Sequence, residues 1–284
     1  MTPATTARRQ DDRKSFPHRS RKGDDLLGII HLMLCGPLRI VSRQGASYFI
    51  TFTDDYSRYG YVYLLKHKHE VFETFKVFKN EVENQLGKTI KALRSDRGGE
   101  YISQEFKDYL KACGIVQQLT PPYTPQHNGV SERRNCTLLD MVRSMMNLTT
   151  LPLSFWDYAL ESATRILNMV PTKKVDKTPY ELWYGKVPNL SYLKVWGCEA
   201  LVKRDTPDKL QQRSIKCIFI GYPKETMGYY FYFPPENKIV VASEIPMDVE
   251  GFEPPQEEVI PVRRSERTPS SSKPLMSKCR GGGA

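Results

Sequence analysis

Two acidic residues stand in sequence contexts suited to metal-dependent chemistry. Asp96 lies in SDRGGEY and Glu132 lies in PPYTPQHNGVSERR, with 35 residues between them. Mg²⁺ prefers carboxylate and other oxygen ligands, and two ions held about 4 Å apart can stabilise both the attacking and the leaving oxygen of a phosphodiester. The pair therefore indicates cleavage or transfer of a phosphodiester, although an Asp and a Glu without such context are usually solvated surface groups.

The elements that position these carboxylates can be predicted from the pattern of apolar residues. Three strand-length runs, LLGIIHLML, SYFITFTDD and GYVYLLK, predict an antiparallel meander. An amphipathic helix then ends at Gly87, and a strand (TIKALRSD), a helix N-capped by Ser103 and a strand (IVQQLT) follow. This order places Asp96 where its strand ends, and it places Glu132 in the first turn of the helix that follows the loop PPYTPQHNG.

Composition divides the chain into five predicted segments. Residues 1–25 form a basic flexible arm, residues 26–172 an α/β core, and residues 173–191 a linker rich in turn formers. Residues 192–245 carry short strands and a hairpin joined by PPEN, which predict a small separate β module. Residues 246–284 are rich in Pro, Glu, Ser and Arg, which predicts a disordered tail.

Charge and cysteine usage restrict the partners and the compartment. The formal net charge of +10 favours a polyanion such as nucleic acid, although a solvated basic surface would give the same count. The six cysteines show no spacing that suits a zinc site and are typical of reduced, intracellular thiols. The sequence contains no apolar run long enough to span a bilayer, so we expect no membrane contact and a cytosolic or nuclear location.

Several long motifs, in order, resemble the integrase of copia-type long-terminal-repeat retrotransposons. They are HLMLCGP, YFITFTDDYSRYGYVYLLK, IKALRSDRGGEYISQEFKDYLKACGI, QLTPPYTPQHNGVSERRN, LPLSFWDYAL, NMVPTK, TPYELWYGKVPNL and VWGCEA. The resemblance implies a ribonuclease H-like core with a mixed five-stranded sheet, an SH3-like β module, a D,D-35-E triad that binds Mg²⁺ or Mn²⁺, and double-stranded DNA (element ends and target) as partner. It also implies homo-oligomers, and catalysis of DNA 3′-end processing and strand transfer. The location that it implies is the nucleus, or a cytoplasmic particle before import.

One position departs from the triad that this resemblance implies. The family pattern resembles H-x-D-x-C-G-P, and here His31 and Cys35 match while Met33 occupies the Asp position. A thioether is a poor ligand for Mg²⁺, so Asp96 and Glu132 remain as the predicted catalytic and metal-binding residues, and we expect impaired catalysis. Asp54 and Asp55 do not replace the missing ligand, because a hairpin that pairs Met33 with Tyr48 or Phe49 leaves Asp54 about 17–20 Å away. We interpret this Asp pair as part of a turn, with Arg58 as an internal partner.

The residues around Glu132 are the predicted DNA contacts. The resemblance implies that Tyr123, Gln126 and Asn128 touch the DNA end, although a Pro-rich turn would have the same composition. Arg133 and Arg134 give the following helix a basic character suited to phosphates. Cys136 stands where related sequences usually carry a basic residue. Basic residues of the β module (Lys203, Arg204, Lys209, Arg213 and Lys216) suit DNA contacts or a solvated face.

The ends of the chain resemble junctions within a longer polyprotein. FPHRSRKGDDLLGIIH resembles the segment that joins an upstream zinc-binding domain to the core, and VRRSERTP resembles the linker toward a reverse transcriptase. We therefore expect an integrase fragment, with a non-catalytic nucleic-acid-binding remnant of the element as the alternative. A nuclease-like fold that serves only protein partners is a third possibility, which an absence of DNA binding at low salt would favour.

Overall fold

The core is built on a mixed sheet of five strands. The computed structural model describes residues 23–120, 128–171, 176–203, 213–224 and 228–242. The strands are β1 (Ile30–Cys35), β2 (Tyr48–Asp54), β3 (Gly60–Leu65), β4 (Ala92–Ser95) and β5 (Val116–Leu119). Their order is β3-β2-β1-β4-β5, with antiparallel pairing from β3 to β1 and parallel pairing from β1 to β5. The predicted meander and mixed sheet are confirmed.

Helices cover both faces of this sheet. The helices are α1 (Val71–Leu86), α2 (Gln104–Ala112), α3 (Gly129–Asn147), α4 (Trp156–Met169) and α5 (Pro179–Tyr184). On one face, Phe75 and Phe78 of α1 and Phe106 of α2 pack against alternate residues of the strands. On the other face, α3 and α4 form a second apolar cluster. The predicted helix signals hold, because Gly87 adopts the left-handed conformation past α1 and the Ser103 side chain accepts the N–H of Phe106.

The predicted register of the first hairpin is wrong by two to three residues. Met33 pairs with Thr51, whereas the sequence predicted Tyr48 or Phe49. The connection does not turn at its midpoint, because Leu38 N donates to Ser47 O (2.8 Å) and the turn is closed by Ser42 N donating to Ala46 O. Asp54 is the third residue after Thr51 on β2, so it lies about 10 Å along the sheet from Met33, closer than predicted.

The predicted linker contains a helix that belongs to the core. Thr178 forms a capping box with Glu181, and proline follows at the first helical position of α5. Trp183 of α5 is 3% exposed and stacks on Tyr59 with ring centroids 5.0 Å apart. Residues 176–184 are therefore a packed element, and the interpretation of 173–191 as a simple linker is wrong for them.

A four-stranded antiparallel sheet follows. Its strands are β6 (Glu199–Lys203), β7 (Ser214–Gly221), β8 (Tyr229–Phe233) and β9 (Lys238–Ala242), in that order. The predicted hairpin through PPEN is confirmed, and Asn237 takes the left-handed conformation at its turn. One face of this sheet packs on α4 and on Phe155, the residue before it. The Tyr232 and Phe155 rings lie 4.7 Å apart, and Trp196 and Ile220 belong to the same cluster. The module is a distinct sheet, but it shares a core with α4.

None of the helices in the described part of the chain combines the length and apolarity that a bilayer crossing requires.

Candidate functional site

Asp96 stands at the open end of the sheet, directly after β4. The parallel register pairs Ile30 with Leu93 and His31 with Arg94, and its continuation by two residues places Met33 beside Asp96. The Asp96 side chain is exposed, and its Oδ1 accepts the N–H of Gly98 at 3.0 Å. This bond from the backbone orients the carboxylate, and its other oxygen accepts no hydrogen bond from the described part of the chain.

Glu132 reaches the same region from α3. It lies exposed in the first turn of the helix, as predicted. Three residues on, the Asn135 side chain accepts the hydroxyl proton of Thr51 (2.8 Å), and Thr51 is the strand partner of Met33. Because residues three apart lie near one another on a helix surface, this bond positions Glu132 over the part of β1 that contains Met33.

Met33 lies next to Asp96 by strand register, on the face of the sheet that α3 covers. Its half-buried side chain points to the α3 face of the sheet, and its carbonyl oxygen lies 3.4 Å from the Thr51 hydroxyl, whose proton is donated to Asn135. Two carboxylates and a thioether do not match the oxygen-rich set that two Mg²⁺ ions require. Among the described residues, no three His, Cys, Asp or Glu side chains are arranged to hold a metal ion. The donor set therefore does not fit a two-metal centre.

Asp54 is engaged inside the protein and does not face the site. It pairs with Ile30, whose side chain belongs to the cluster on the opposite face from Met33. Its carboxylate accepts the N–H groups of Leu27 (2.9 Å) and Ser57 (2.7 Å) and the Ser57 hydroxyl. Burial raises the pKa of Asp54 although these bonds oppose the rise. This carboxylate organises a turn, as the sequence predicted.

The buried Asp55 carboxylate accepts hydrogen bonds from three segments of the chain. It accepts His31 Nε2 and Arg58 Nη1, each at 2.8 Å, and the backbone N–H of Gly23 at 2.7 Å. Burial disfavours its charge, but the hydrogen bonds from His31 and Gly23 and the charge of Arg58 outweigh burial and hold the pKa of Asp55 well below its usual range. The predicted role of Arg58 as an internal partner is confirmed.

The predicted DNA contacts of α3 separate into one exposed and one buried arginine. Arg133 is exposed, and its Nε donates to Gly129 O at 3.2 Å. Arg134 is buried, and its guanidinium donates to Arg58 O (2.8 Å) and Asn168 Oδ1 (2.6 Å). Burial lowers the pKa of Arg134 to about 10. The guanidinium of Arg134 points into the protein, so its prediction as a phosphate contact does not agree with this geometry.

The loop before Glu132 supplied the other predicted contacts. Tyr123 and Gln126 lie outside the described residues. Asn128 is 6% exposed, and its Oδ1 is buried with no hydrogen-bond donor among the described residues. Asn128 therefore precedes α3 as a largely enclosed side chain, and its contact with DNA stays a prediction.

Two residues that position the site were not singled out in the sequence. Asn135 connects α3 to β2, and the buried Tyr101 hydroxyl accepts the N–H of Leu34, the residue after Met33, at 2.9 Å. Burial raises the pKa of Tyr101, and the charges of Asp96 and Glu100 add to the rise. A polar residue on a helix or in a loop shows its buried contact only when the neighbouring elements are known. The sequence alone therefore did not indicate either residue.

Comparison with protein families identifies two domains in the chain. The integrase core domain matches residues 34–125, and the retroviral polymerase SH3-like domain matches residues 198–259. The first match includes Asp96 and ends before Glu132. The two domains correspond to the five-stranded and the four-stranded sheet, respectively.

Curated relatives are retrotransposon polyproteins. The chain is 42% identical over 236 residues to the Retrovirus-related Pol polyprotein from transposon TNT 1-94 of Nicotiana tabacum, a match to 82% of this chain and 18% of the relative. It is 32% identical over 216 residues to the Retrovirus-related Pol polyprotein from transposon RE2 of Arabidopsis thaliana, a match to 75% of this chain and 15% of the relative. The chain thus spans less than a fifth of the length of these relatives.

Two solved integrase structures show a limited similarity to this chain. A chain of the simian T-cell lymphotropic virus intasome in complex with PP2A regulatory subunit B56 gamma is 19% identical, with a TM-score of 0.48 over 82% of this chain and 84% of that chain. The HTLV-2 integrase catalytic core domain in complex with magnesium, in its trimeric form, is 20% identical, with a TM-score of 0.44 over 57% of this chain and 100% of that chain. The two family matches and the two sheets confirm the predicted fold class, an α/β integrase core with a mixed five-stranded sheet followed by a small SH3-like β module.

Proposed function

We propose, from the premise that this chain belongs to the integrase region of copia-type retrotransposon Pol polyproteins, that it binds double-stranded DNA as an integrase with impaired catalysis. The observation that carries this proposal is the position of Met33, which lies beside Asp96 by strand register and beneath the helix that carries Glu132. The family's activity is DNA integration, by 3′-end processing and strand transfer. The chain retains two of the three carboxylates that this activity uses.

DNA as the partner rests on charge and on family. The net charge of +10 favours a polyanion, and each phosphate neutralised by a basic side chain releases counterions. Arg133 is exposed next to Glu132 and is suited to a phosphate near the cut. One solved neighbour belongs to an intasome and another is described in trimeric form, which is consistent with a homo-oligomer. Element ends and target DNA as the partner, and a nuclear location, belong to this proposal through the family alone.

Impairment follows from the ligand chemistry at Met33. Asp96 and Glu132 are both exposed and can hold one Mg²⁺ or Mn²⁺ ion weakly. A thioether neither bridges two hard ions nor holds the nucleophile in place, so most strand-transfer activity is lost. Replacing Met33 by Asp restores the missing oxygen donors at the correct place in the strand register.

A strand-transfer assay with Mg²⁺ or Mn²⁺ tests this proposal on the full chain. We expect Met33→Asp to gain activity over the unmodified chain. The Met33→Asp/Glu132→Gln double variant is the matched control, and it should fall back to the background, since it again lacks one carboxylate. Equal activity of the unmodified chain and Met33→Asp would show that Met33 does not limit catalysis.

The alternative function is non-catalytic nucleic-acid binding, and the substitution at Met33 favours it over full activity. Both functions predict DNA binding that weakens steeply with salt. Only the integrase hypothesis predicts that the Met33→Asp variant joins DNA ends in a metal-dependent reaction. Salt-dependent binding without any joining by this variant would support the alternative.

A further inference from the structure

β3 forms one edge of the five-stranded sheet, so every second residue of this strand directs its backbone groups away from β2. Tyr59 O and Leu65 O, at its two ends, accept backbone N–H groups from the β2 side at 2.9 and 3.0 Å. The even-numbered residues between them, Gly60, Val62 and Leu64, therefore present their N–H and C=O groups at the edge.

Side chains already occupy both ends of this edge. The Asn168 amide bonds both backbone groups of the first residue of β3, and Glu70 Oε2 accepts the N–H of Lys66 at 2.9 Å. The backbone groups of Val62 and Leu64, between these two points, have no hydrogen-bond partner in the described part of the chain. The middle of the edge is therefore open to pairing with another strand.

A groove between α1 and α4 follows the open part of the edge. Two adjoining cavities form it, one of about 300 Å³ beside Val62 and one of about 380 Å³ beside Leu64. Glu161 and Lys224 border both cavities. Ser162 of α4 is 2% exposed, and its hydroxyl, which lines the first cavity, has no hydrogen-bond partner among the described residues. The groove thus combines an unused hydroxyl with unused backbone groups.

The walls of the groove are acidic, although the chain as a whole carries a net charge of +10. The two cavities are lined by four carboxylates and two basic side chains: Glu70, Glu73, Glu81, Glu161, Arg165 and Lys224. A local excess of negative charge repels DNA phosphates and attracts a basic polypeptide. The groove is therefore suited to a different partner from the basic surfaces of the chain.

Lys224 shows how a basic side chain fits this groove. Its Nζ lies 3.0 Å from Glu161 Oε1 and 5.9 Å from the centroid of the Tyr63 ring. The Lys224 side chain is 64% exposed, and an ion pair so exposed to water contributes little stability. A basic side chain from a partner can therefore take its place.

We propose that the β3 edge binds a basic polypeptide segment in extended conformation, as a sixth strand of the sheet. Main-chain hydrogen bonds to Val62 and Leu64 hold the segment, and its side chains alternate between the two walls. On the α1 side they meet Glu73 and Glu81, which favours lysine or arginine. On the α4 side they lie beside Val62 and Leu64, where β-branched residues pack well. This binding is independent of DNA and of Met33.

Fluorescence anisotropy on the full chain, with a short labelled peptide of alternating lysine and valine, tests the site. We expect saturable binding of this peptide and none of a matched peptide with glutamate in place of lysine. Two further peptides carry N-methyl groups on one or the other alternate set of backbone amides. Methylation of the set that faces β3 should weaken binding about tenfold, and methylation of the other set should not. Equal binding of the two methylated peptides, or no binding of the lysine peptide, would overturn the proposal.

Substitutions in the groove test the role of its charges. Glu81→Gln removes a carboxylate but keeps an oxygen acceptor for the Tyr63 hydroxyl, so we expect weaker binding by an intact fold. Lys224→Ala removes a competing cation and frees Glu161, so binding should become tighter. Glu105→Gln, which removes an exposed charge from α2, is the matched control and should bind as the unmodified chain does. Equal losses in Glu105→Gln and Glu81→Gln, or no gain in Lys224→Ala, would contradict binding in this groove.

Amide hydrogen exchange provides a measurement that general charge attraction would not change. The N–H groups of Val62 and Leu64 should become protected when the lysine peptide binds. Those of Tyr61 and Tyr63 already face β2 and should change little. Unchanged exchange at Val62 and Leu64 in the saturated complex would show that the peptide does not pair with β3.

Discussion

Asn168 of α4 bonds both backbone groups of Gly60, the first residue of β3. Its Nδ2 donates to Gly60 O at 2.8 Å, and its Oδ1 accepts the N–H of Gly60 at 3.0 Å. β3 is an edge strand, and the Asn168 amide takes the place that the backbone of a neighbouring strand would have. The same Oδ1 accepts Arg134 Nη2, so one side chain connects α3, α4 and the sheet.

Asn168→Ala should therefore be strongly destabilising. It removes three hydrogen bonds and leaves the buried Arg134 guanidinium with the Arg58 carbonyl as its remaining acceptor among the described residues. We expect a loss of about 2–4 kcal/mol in the free energy of unfolding, because an incompletely satisfied buried charge is costly. Urea denaturation measures the change, and a loss below about 0.5 kcal/mol would contradict this role. Asn189→Ala, at an exposed position, is the control.

Arg133 and Arg134 should differ in their effect on DNA binding. Arg133→Gln removes an exposed charge, so we expect weaker binding and a reduction of about 1 in the slope of log affinity against log salt. Arg134→Met should leave that slope unchanged, because its guanidinium is buried and bonded internally. Fluorescence anisotropy across a salt series measures both. A lower slope in the folded Arg134→Met protein would restore Arg134 as a phosphate contact.

Gly60 should tolerate no larger residue while Arg134 is present. A Cβ atom at Gly60 would overlap the Arg134 guanidinium, which is buried and cannot easily move away. We expect Gly60→Ala to cost about 1–3 kcal/mol, as overpacking does in other cores. In an Arg134→Met background the added cost should shrink, because the clash is relieved. A double-mutant cycle by denaturation measures this coupling, and strict additivity would contradict it.

Asp55 should make the stability of the folded protein depend on pH in the acid range. Its pKa is lowered from 3.8 in the folded protein, so its contribution is present above the unfolded value and is lost as pH falls through the folded value. Asp55→Asn should therefore be less stable than the unmodified chain at pH 7, and the difference should narrow below about pH 4. Thermal unfolding across pH measures it. A stability difference that stays constant into acid would show that the ionised form of Asp55 is not favoured by folding.

Much of the core was predictable because its signals are local. The apolar periodicity of the three meander strands, Gly87 past α1 and the Ser103 cap each specify an element from a few adjacent residues. The capping box at Thr178 is also such a signal, since T-P-Y-E carries both the cap and the proline, and it could have predicted α5.

The geometry of the site could not be predicted in the same way, because it depends on strand register and on contacts between residues far apart in the chain. The pairing of Met33 with Thr51 is set by an asymmetric turn between β1 and β2 and not by the strands themselves. The burial of Arg134 depends on Asn168, 34 residues later in the chain. A charged residue on a helix of a basic protein suggests a surface contact until the packing of a distant helix is known.

The shared core of α4 and the four-stranded sheet has a consequence for how the catalytic part can be studied. Trp183 stacks on Tyr59 of the core. Trp196, Ile220 and Tyr232 cover the apolar cluster that α3 and α4 form on the sheet. A fragment cut after residue 172 would present these apolar surfaces to water and would tend to aggregate. Measurements on such a fragment would describe a damaged protein, so the active-site substitutions are best compared in the intact chain.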